Sequence, residues 1–215
     1  PFPYPTLFRS DERVKPPLGL LWFGGPANDD ILPRHGHGPS PQIVGGRLFI
    51  EGPHALRSVD VYTGRPLWQR RLADLGAFYT NTVHHPGANE LGSNYVSLED
   101  GVYVVHGGRC LRLDPASGQT MAAFTLPPTA EGAASHWGYL GIYEDWLIAG
   151  ASPLALTPDP GGGLPTLNRN ARYASASARL VVLDRHDGRL VWQREAEQVF
   201  RHNAIAAGAG KLFCI

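Results

Sequence analysis

Short apolar runs alternate along the chain with clusters of Gly, Pro, Asp and Ser. From Ser40 onward the first set reads 42–44, a Gly45-Gly46 turn, 47–51, a turn at 52–54, and then 58–68, which supplies a strand, a turn and a strand. That pattern predicts four short strands joined by tight turns. A second set predicts strands over 93–99, 102–106, 110–114 and 120–126. A third predicts them over 138–144, 146–149, 180–184 and 190–194, with a polar stretch at 153–177 between its second and third strands. A fourth set opens with 203–207 and 211–215. Ahead of all of them, 18–24 (LGLLWFG) predicts an outer strand, preceded by a proline-rich linker or loop over 1–17.

One turn recurs within these sets. Residues 58–68 read SVDVYTGRPLW, 112–122 read RLDPASGQTMA and 182–192 read VLDRHDGRLVW. In each copy Asp60, Asp114 or Asp184 is followed, after two residues, by Thr63, Ser117 or Asp187, and then by Gly64, Gly118 or Gly188. The Gly supplies the positive φ of a tight turn, and the Asp carboxylate is placed to accept hydrogen bonds from turn N–H groups. Trp68 and Trp192 stand at the same place beyond the turn, as large flat groups suited to packing between sheets. Ala122 occupies that place in the second copy, with Phe124 two residues on and on the same strand face, so a thinner contact is expected there.

A single hairpin turn of this kind is common, but three in register define a repeat. Four-stranded repeats predict an all-β fold, a β-propeller with four-stranded antiparallel blades. The blades are expected over 40–72, 92–127 and 138–196, the last with an inserted loop at 153–177, and 203–215 would start another. Three whole blades plus partial blades at both ends make an incomplete ring. The reading therefore expects the remaining blades in a longer chain.

Composition narrows the partners. Lys+Arg and Asp+Glu are both 19, and the longest basic run is Arg70 with Arg71, which argues against nucleic acid or a membrane surface. No apolar run approaches the length of a membrane span, and no signal peptide is visible. Cys110 and Cys214 both lie in strand-like apolar settings and are expected as buried small hydrophobes, with a disulfide as the alternative. The chain carries no GxSxG, HExxH, P-loop, GxGxxG or CxxCH pattern.

The Asp, two residues, Thr-Gly, three residues and Trp of 60–68 resemble the tryptophan-docking motif of the quinoprotein-like, PQQ-repeat β-propellers. The match is full at Asp60, Thr63, Gly64 and Trp68. At Asp184, Asp187, Gly188 and Trp192 only the Thr is changed; at Asp114, Ser117 and Gly118 the Trp is lost. More narrowly, LLWFGGPANDD, LPRHGHGPSPQIVGGRLFIEGP, GSNYVSLEDGVYVVHG and RHNAIAAGAGKLFCI are similar to multi-repeat propeller proteins of planctomycete-type bacteria. That resemblance implies a long bacterial protein, periplasmic or otherwise exported. The family divides between dehydrogenases that bind PQQ with Ca²⁺ or a lanthanide and outer-membrane assembly scaffolds with the same blades and no cofactor. The docking motif is common to both, so the fold alone does not fix the function.

Residues that would carry chemistry are few. The dehydrogenases hold PQQ between a Trp and an adjacent Cys pair, with Glu and Asn near the metal, and this chain has no adjacent Cys pair. Glu90 and Asn94, in the connector HHPGANELGSN, are the oxygen donors suited to a hard cation; Asn94 as a strand cap and Glu90 as a solvated side chain is the alternative. The histidines are distributed unevenly. His35, His37, His84, His85, His136 and His202 fall in outer-to-inner connectors, and His54 and His106 fall in loops between second and third strands. Those two kinds of loop share one face of a propeller; only His186, in the docking turn, belongs to the other. Imidazoles gathered at a channel mouth suit a transition metal, a haem or proton transfer, with His35, His37, His84 and His85 as the ligand candidates; loop polarity alone is the alternative account. The expected function is a ligand- or protein-binding scaffold. The alternative is a quinoprotein-type oxidoreductase using PQQ with Ca²⁺ or a transition metal, or an electron-transfer protein working with a haem or other redox domain.

Overall fold

A computed structural model describes residues 24–80, 87–153, 156–157, 166–167 and 175–214. The outer strand expected at 18–24 lies outside these residues except for Gly24, which is in no strand. Three four-stranded antiparallel sheets form the body, each with its strands in sequence order. The first holds β1 (Gln42–Val44), β2 (Arg47–Gly52), β3 (Ala55–Asp60) and β4 (Pro66–Arg71); the second holds β5 (Tyr95–Leu98), β6 (Gly101–His106), β7 (Arg109–Leu113) and β8 (Thr120–Thr125). The third is built from β9 (Trp137–Tyr143), β10 (Trp146–Pro153), β13 (Ala176–Asp184) and β14 (Leu190–Arg201), with a two-stranded sheet, β11 (Leu156–Thr157) and β12 (Thr166–Leu167), between β10 and β13. A hairpin of β15 (Ala206–Gly208) and β16 (Lys211–Phe213) follows. A four-residue helix, α1 (Ala88–Leu91), sits in the connector before β5.

Second and third strands of the second and third sheets are apolar on both faces because each of these sheets has a neighbour on both sides. Phe49, Leu56, Tyr95, Val102 and Leu113 fill the space between the first and second sheets. Between the second and third lie Tyr103, Cys110, Phe124, Leu140, Leu147, Val181 and Leu183. Ile148, Leu180 and Val182 face the other way, where Trp192, Ala207 and Leu212 pack against them.

The docking turns share one geometry. Asp60 Oδ1 accepts from the Thr63 N–H at 2.8 Å and its hydroxyl at 2.9 Å; Asp114 does the same with Ser117 at 2.7 and 3.0 Å, and Asp184 accepts from the His186 N–H at 2.8 Å. The side-chain bonds from Thr63 and Ser117, and the backbone bond from His186, hold these three carboxylates below the usual range. Gly118 at φ 71° takes the left-handed conformation that the turn needs. After each turn the register slips by one residue. Ser58 faces Trp68 but Val59 faces Pro66, Arg112 faces Ala122 but Leu113 faces Thr120, and Val182 faces Trp192 but Leu183 faces Leu190. A β-bulge at Leu67, Met121 and Val191 thus stands immediately before each Trp position and sets its aim.

The third sheet departs from expectation in length. β10 and β13 run on to Pro153 and back from Ala176, so the inserted loop leaves from a longer hairpin, and β14 reaches Arg201 through a second register shift opposite 177–179. Both cysteines are free; Cys110 is buried and Cys214 is exposed, against the expectation of two buried thiols. Cys214 follows β16, whose far side has no described strand to cover it.

Candidate functional site

Antiparallel order puts the turn between second and third strands at the same end as the connector that leaves the fourth. In the first sheet these are bonded directly: the His54 N–H donates to the Leu75 carbonyl at 2.8 Å and the Leu72 N–H to the His54 carbonyl at 2.9 Å. His106, at the matching end of β6, meets the Ala73 carbonyl through Nε2 at 2.7 Å. One rim therefore carries the connectors and the docking turns occupy the other.

Buried arginines fasten two of the connectors. Arg57 on β3 donates to the Asp30 carbonyl at 2.8 Å, to Asp30 Oδ1 at 2.6 Å and to Gln69 Oε1 at 3.1 Å. Arg179 on β13, 3% exposed, donates to the Pro127 and Pro128 carbonyls at 2.7 and 2.9 Å, to the Ser135 hydroxyl and to Gln193. Each guanidinium holds the segment that enters its own sheet, and each is braced by a glutamine of the outer strand. Sequence reading missed both, although an Arg inside an apolar third strand (ALRSVD, SARLVVLD) is the visible sign.

Between the connectors lies a cavity of about 340 Å³, lined by His37, Pro39, Ser40, Gln42, Asn89 and Ser93 among others. Its walls are drawn together by local backbone demands. His37 adopts the left-handed conformation at φ 49°, and its carbonyl accepts from the Ala88 N–H at 2.8 Å. A Cβ at Gly87 would lie 2.2 Å from that of His37, so only Gly allows this approach. On the floor, Gln42 Nε2 donates to the Tyr95 carbonyl at 2.9 Å and its Oε1 accepts from the Ser97 N–H at 2.7 Å. The side-chain amide thus stands in for a strand between β1 and β5. Asn89 and Ser40 are exposed and offer neutral hydrogen-bonding groups to the cavity.

Two buried titratable groups flank this rim, and the burial of neither was legible in the sequence. Glu51, at the end of β2, is pushed up to about 7 by burial, against a hydrogen bond from Asn94 Nδ2 at 3.1 Å that works the other way. His202, just after β14, is pushed down to about 4 by burial and meets the Ser177 hydroxyl through Nε2 at 2.7 Å. Gly138 and Gly150 make room for that pair: a Cβ at either would come within 2.8 Å of Ser177 Oγ.

The sequence candidates are brought together only in part. His37 lines the cavity, and His35 is exposed on the single turn before it. Glu90 is exposed on α1, and the amide of Asn94 is turned to Glu51. His84 and His85 lie outside the described residues. Among the described residues no three His, Cys, Asp or Glu side chains are grouped as metal ligands. Cys110 is buried and Cys214 exposed, and the chain holds no adjacent Cys pair of the kind the resemblance places beside PQQ.

No protein-family model matches the chain, and no curated protein matches it. Solved structures do. BamB from Moraxella catarrhalis matches with a TM-score of 0.52 at 15% identity, over 90% of this chain and 46% of its own. Quinohemoprotein alcohol dehydrogenase ADHIIG from Pseudomonas putida HK5 matches with a TM-score of 0.50 at 14% identity, over 82% of this chain and 22% of its own. The chain thus spans less than half the length of the structures it matches. Their likeness and the three four-stranded sheets show the fold of this chain, a run of four-stranded antiparallel β-propeller blades.

Proposed function

We propose that these blades belong to an exported bacterial protein and act as a docking platform, with the connector rim as the working face. The observation that carries this reading is the cleft of about 340 Å³ between the connectors ahead of β1 and β5, walled by neutral polar groups. Convergent polar groups in a concavity are the ordinary form of a binding site. The opposite rim is occupied by docking turns whose carboxylates are already satisfied by their own backbone. The remaining blades of the ring would be partners within the same protein. Tryptophan docking between blades is part of the same proposal: Trp68 and Trp192 are clasps rather than ligand contacts.

The competing reading, an oxidoreductase with PQQ or a metal at the channel mouth, would need donors from outside the described residues. Its test is the absorption spectrum of the full-length protein before and after addition of PQQ and Ca²⁺; a new band would favour it. The docking reading is tested by placing a photo-crosslinking amino acid at Asn89 in the full-length protein in its native cell, with Tyr62 on the docking-turn rim as control. A discrete crosslinked partner at Asn89, lost when Ser40→Trp fills the cleft, is expected. Crosslinks from Tyr62 and none from Asn89 would overturn it.

A further inference from the structure

The connector into the second blade is pinned differently from those into the first and third. Where Arg57 and Arg179 hold their segments by permanent charge, residues 87–94 lean on a carboxyl. Glu51 has 4% of its surface exposed; Oε1 accepts the single bond from Asn94, and Oε2 is buried with no partner. The first arm of the same connector closes over it. Gly76, left-handed at φ 74°, approaches so that a Cβ there would lie 3.4 Å from Glu51 Oε1 and 3.1 Å from the Gly52 carbonyl oxygen.

Among the described residues the surrounding groups offer no compensating charge. Across the pair on β3 stands Leu56, which is apolar. Tyr79 from the first arm of the connector and Tyr95 from β5 are buried phenols, pushed up by burial first and by the Glu51 charge second. Arg57 lies behind Gly52 but is committed to Asp30 and Gln69, and the exposed His54–Asp74 pair sits at the turn beyond, 4.0 Å apart. A buried carboxylate with one hydrogen bond and no cation is costly, whereas the neutral acid fits the site.

We propose that Glu51 is a proton-controlled latch on the wall of the cleft: its neutral form lets the two arms of the β4–β5 connector, 73–80 and 87–94, close against the first blade, and its ionisation drives them apart to admit water. The driving force is hydration, since an opened connector returns the carboxyl to its ordinary acidity. Asn89 and Ser93 line the cleft and Asn94 adjoins it, so the latch moves a wall of the cavity. The latch does not depend on what the cleft binds.

With the closed carboxyl titrating at about 7 and the open one at 4.5, opening becomes easier by on the order of 50-fold between pH 5 and pH 8. Amide hydrogen exchange on the full-length protein, corrected for intrinsic rates, reads this directly. Protection across 87–95 is expected to fall by that factor in the wild type and to stay flat in Glu51→Gln, while β13 changes in neither. A flat wild-type profile, or a fall that persists in Glu51→Gln, overturns the latch. Should Glu51→Gln not fold, the wild-type carboxyl can be followed alone by carbon-13 NMR; titration in the ordinary carboxylate range would likewise reject it.

Discussion

The space between the first and second blades and the space between the second and third do the same job with different side chains. In the first, the Trp68 ring lies over Gly118 of the next turn, and its indole N–H donates to the Pro115 carbonyl at 2.9 Å. In the second, Ala122 leaves the Trp position empty, and Phe124 reaches Gly188 instead, where a Cβ would come within 3.0 Å of its ring. Phe124 is 4% exposed and stacks on Tyr103 at 6.3 Å. A phenyl ring has no donor, and polar fastening comes from elsewhere: Arg185, next to Asp184, donates to Asp100 Oδ2 at 2.6 Å, to the Tyr103 hydroxyl at 3.1 Å and to the Glu144 carbonyl at 2.6 Å. The thinner contact expected from the missing Trp is therefore not what the structure holds. Here the ring stands two residues further along the strand, and the polar link comes from a turn arginine.

If the two spaces are equivalent in apolar support, removing either ring should cost the same. Trp68→Ala and Phe124→Ala are each expected to destabilise by about 3–5 kcal/mol, as large-to-small changes between packed sheets. Urea unfolding of the full-length protein measures this. A loss under about 1 kcal/mol at Trp68 would refute its clasping role, and a loss at Phe124 well below that at Trp68 would restore the thinner contact.

What was legible in the sequence follows from what is local. The Asp–Gly turn needs only its own residues, so three copies announced themselves, and with them the four-strand period and the shared rim. The bulge at Leu67, Met121 and Val191 depends on which residue of the partner strand is opposite, and no composition marks it. The exchange of Trp for Phe124 was half visible: the residue was identified on the right face, but its seat on Gly188 belongs to another blade. Glu51 reads in sequence as the polar end of a strand (LFIE) before a turn. Only the closure of the β4–β5 connector over it, with Gly76 on its first arm, makes it a buried acid. Likewise His202 looked like another rim histidine until Ser177, far off in the chain, was seen to meet it.

The two glycine seats sharpen the comparison further. Both need positive φ, at 71° for Gly118 and 77° for Gly188, so Ala is strained at each. At Gly118 the added methyl would also lie 2.6 Å from an indole fixed by its hydrogen bond, and at Gly188 it meets the edge of Phe124 at 3.0 Å. Gly118→Ala is expected to cost about 2–3 kcal/mol and Gly188→Ala about 1–2 kcal/mol in the same unfolding measurement. Equal losses would mean that backbone strain alone decides, and that the indole is not held in place.

The smallest effect expected is the one that isolates the polar link. Arg185 is 14% exposed but its partner Asp100 is 44% exposed, so Arg185→Met should cost only about 1 kcal/mol after solvent screening. Acid gives the same information without a mutation. Burial alone would raise the Asp100 carboxyl, but the hydrogen bond and charge of Arg185, with Arg112 behind it, hold it below its ordinary value of 3.8. Such a group binds fewer protons folded than unfolded, so its support is complete above pH 3.8 and is lost as the pH falls through the lower folded value. The second interface should therefore weaken in that window through Asp100, whereas the Trp68 indole bond to the Pro115 carbonyl carries no titratable partner. Hydrogen exchange on β9 and β10 against β5 and β6 separates the two, and Asp100→Asn should reduce the acid response on the third blade to the part owed to Asp184, whose carboxyl is also held below its ordinary value. An acid response undiminished in Asp100→Asn would assign the fastening of that interface to its apolar core alone.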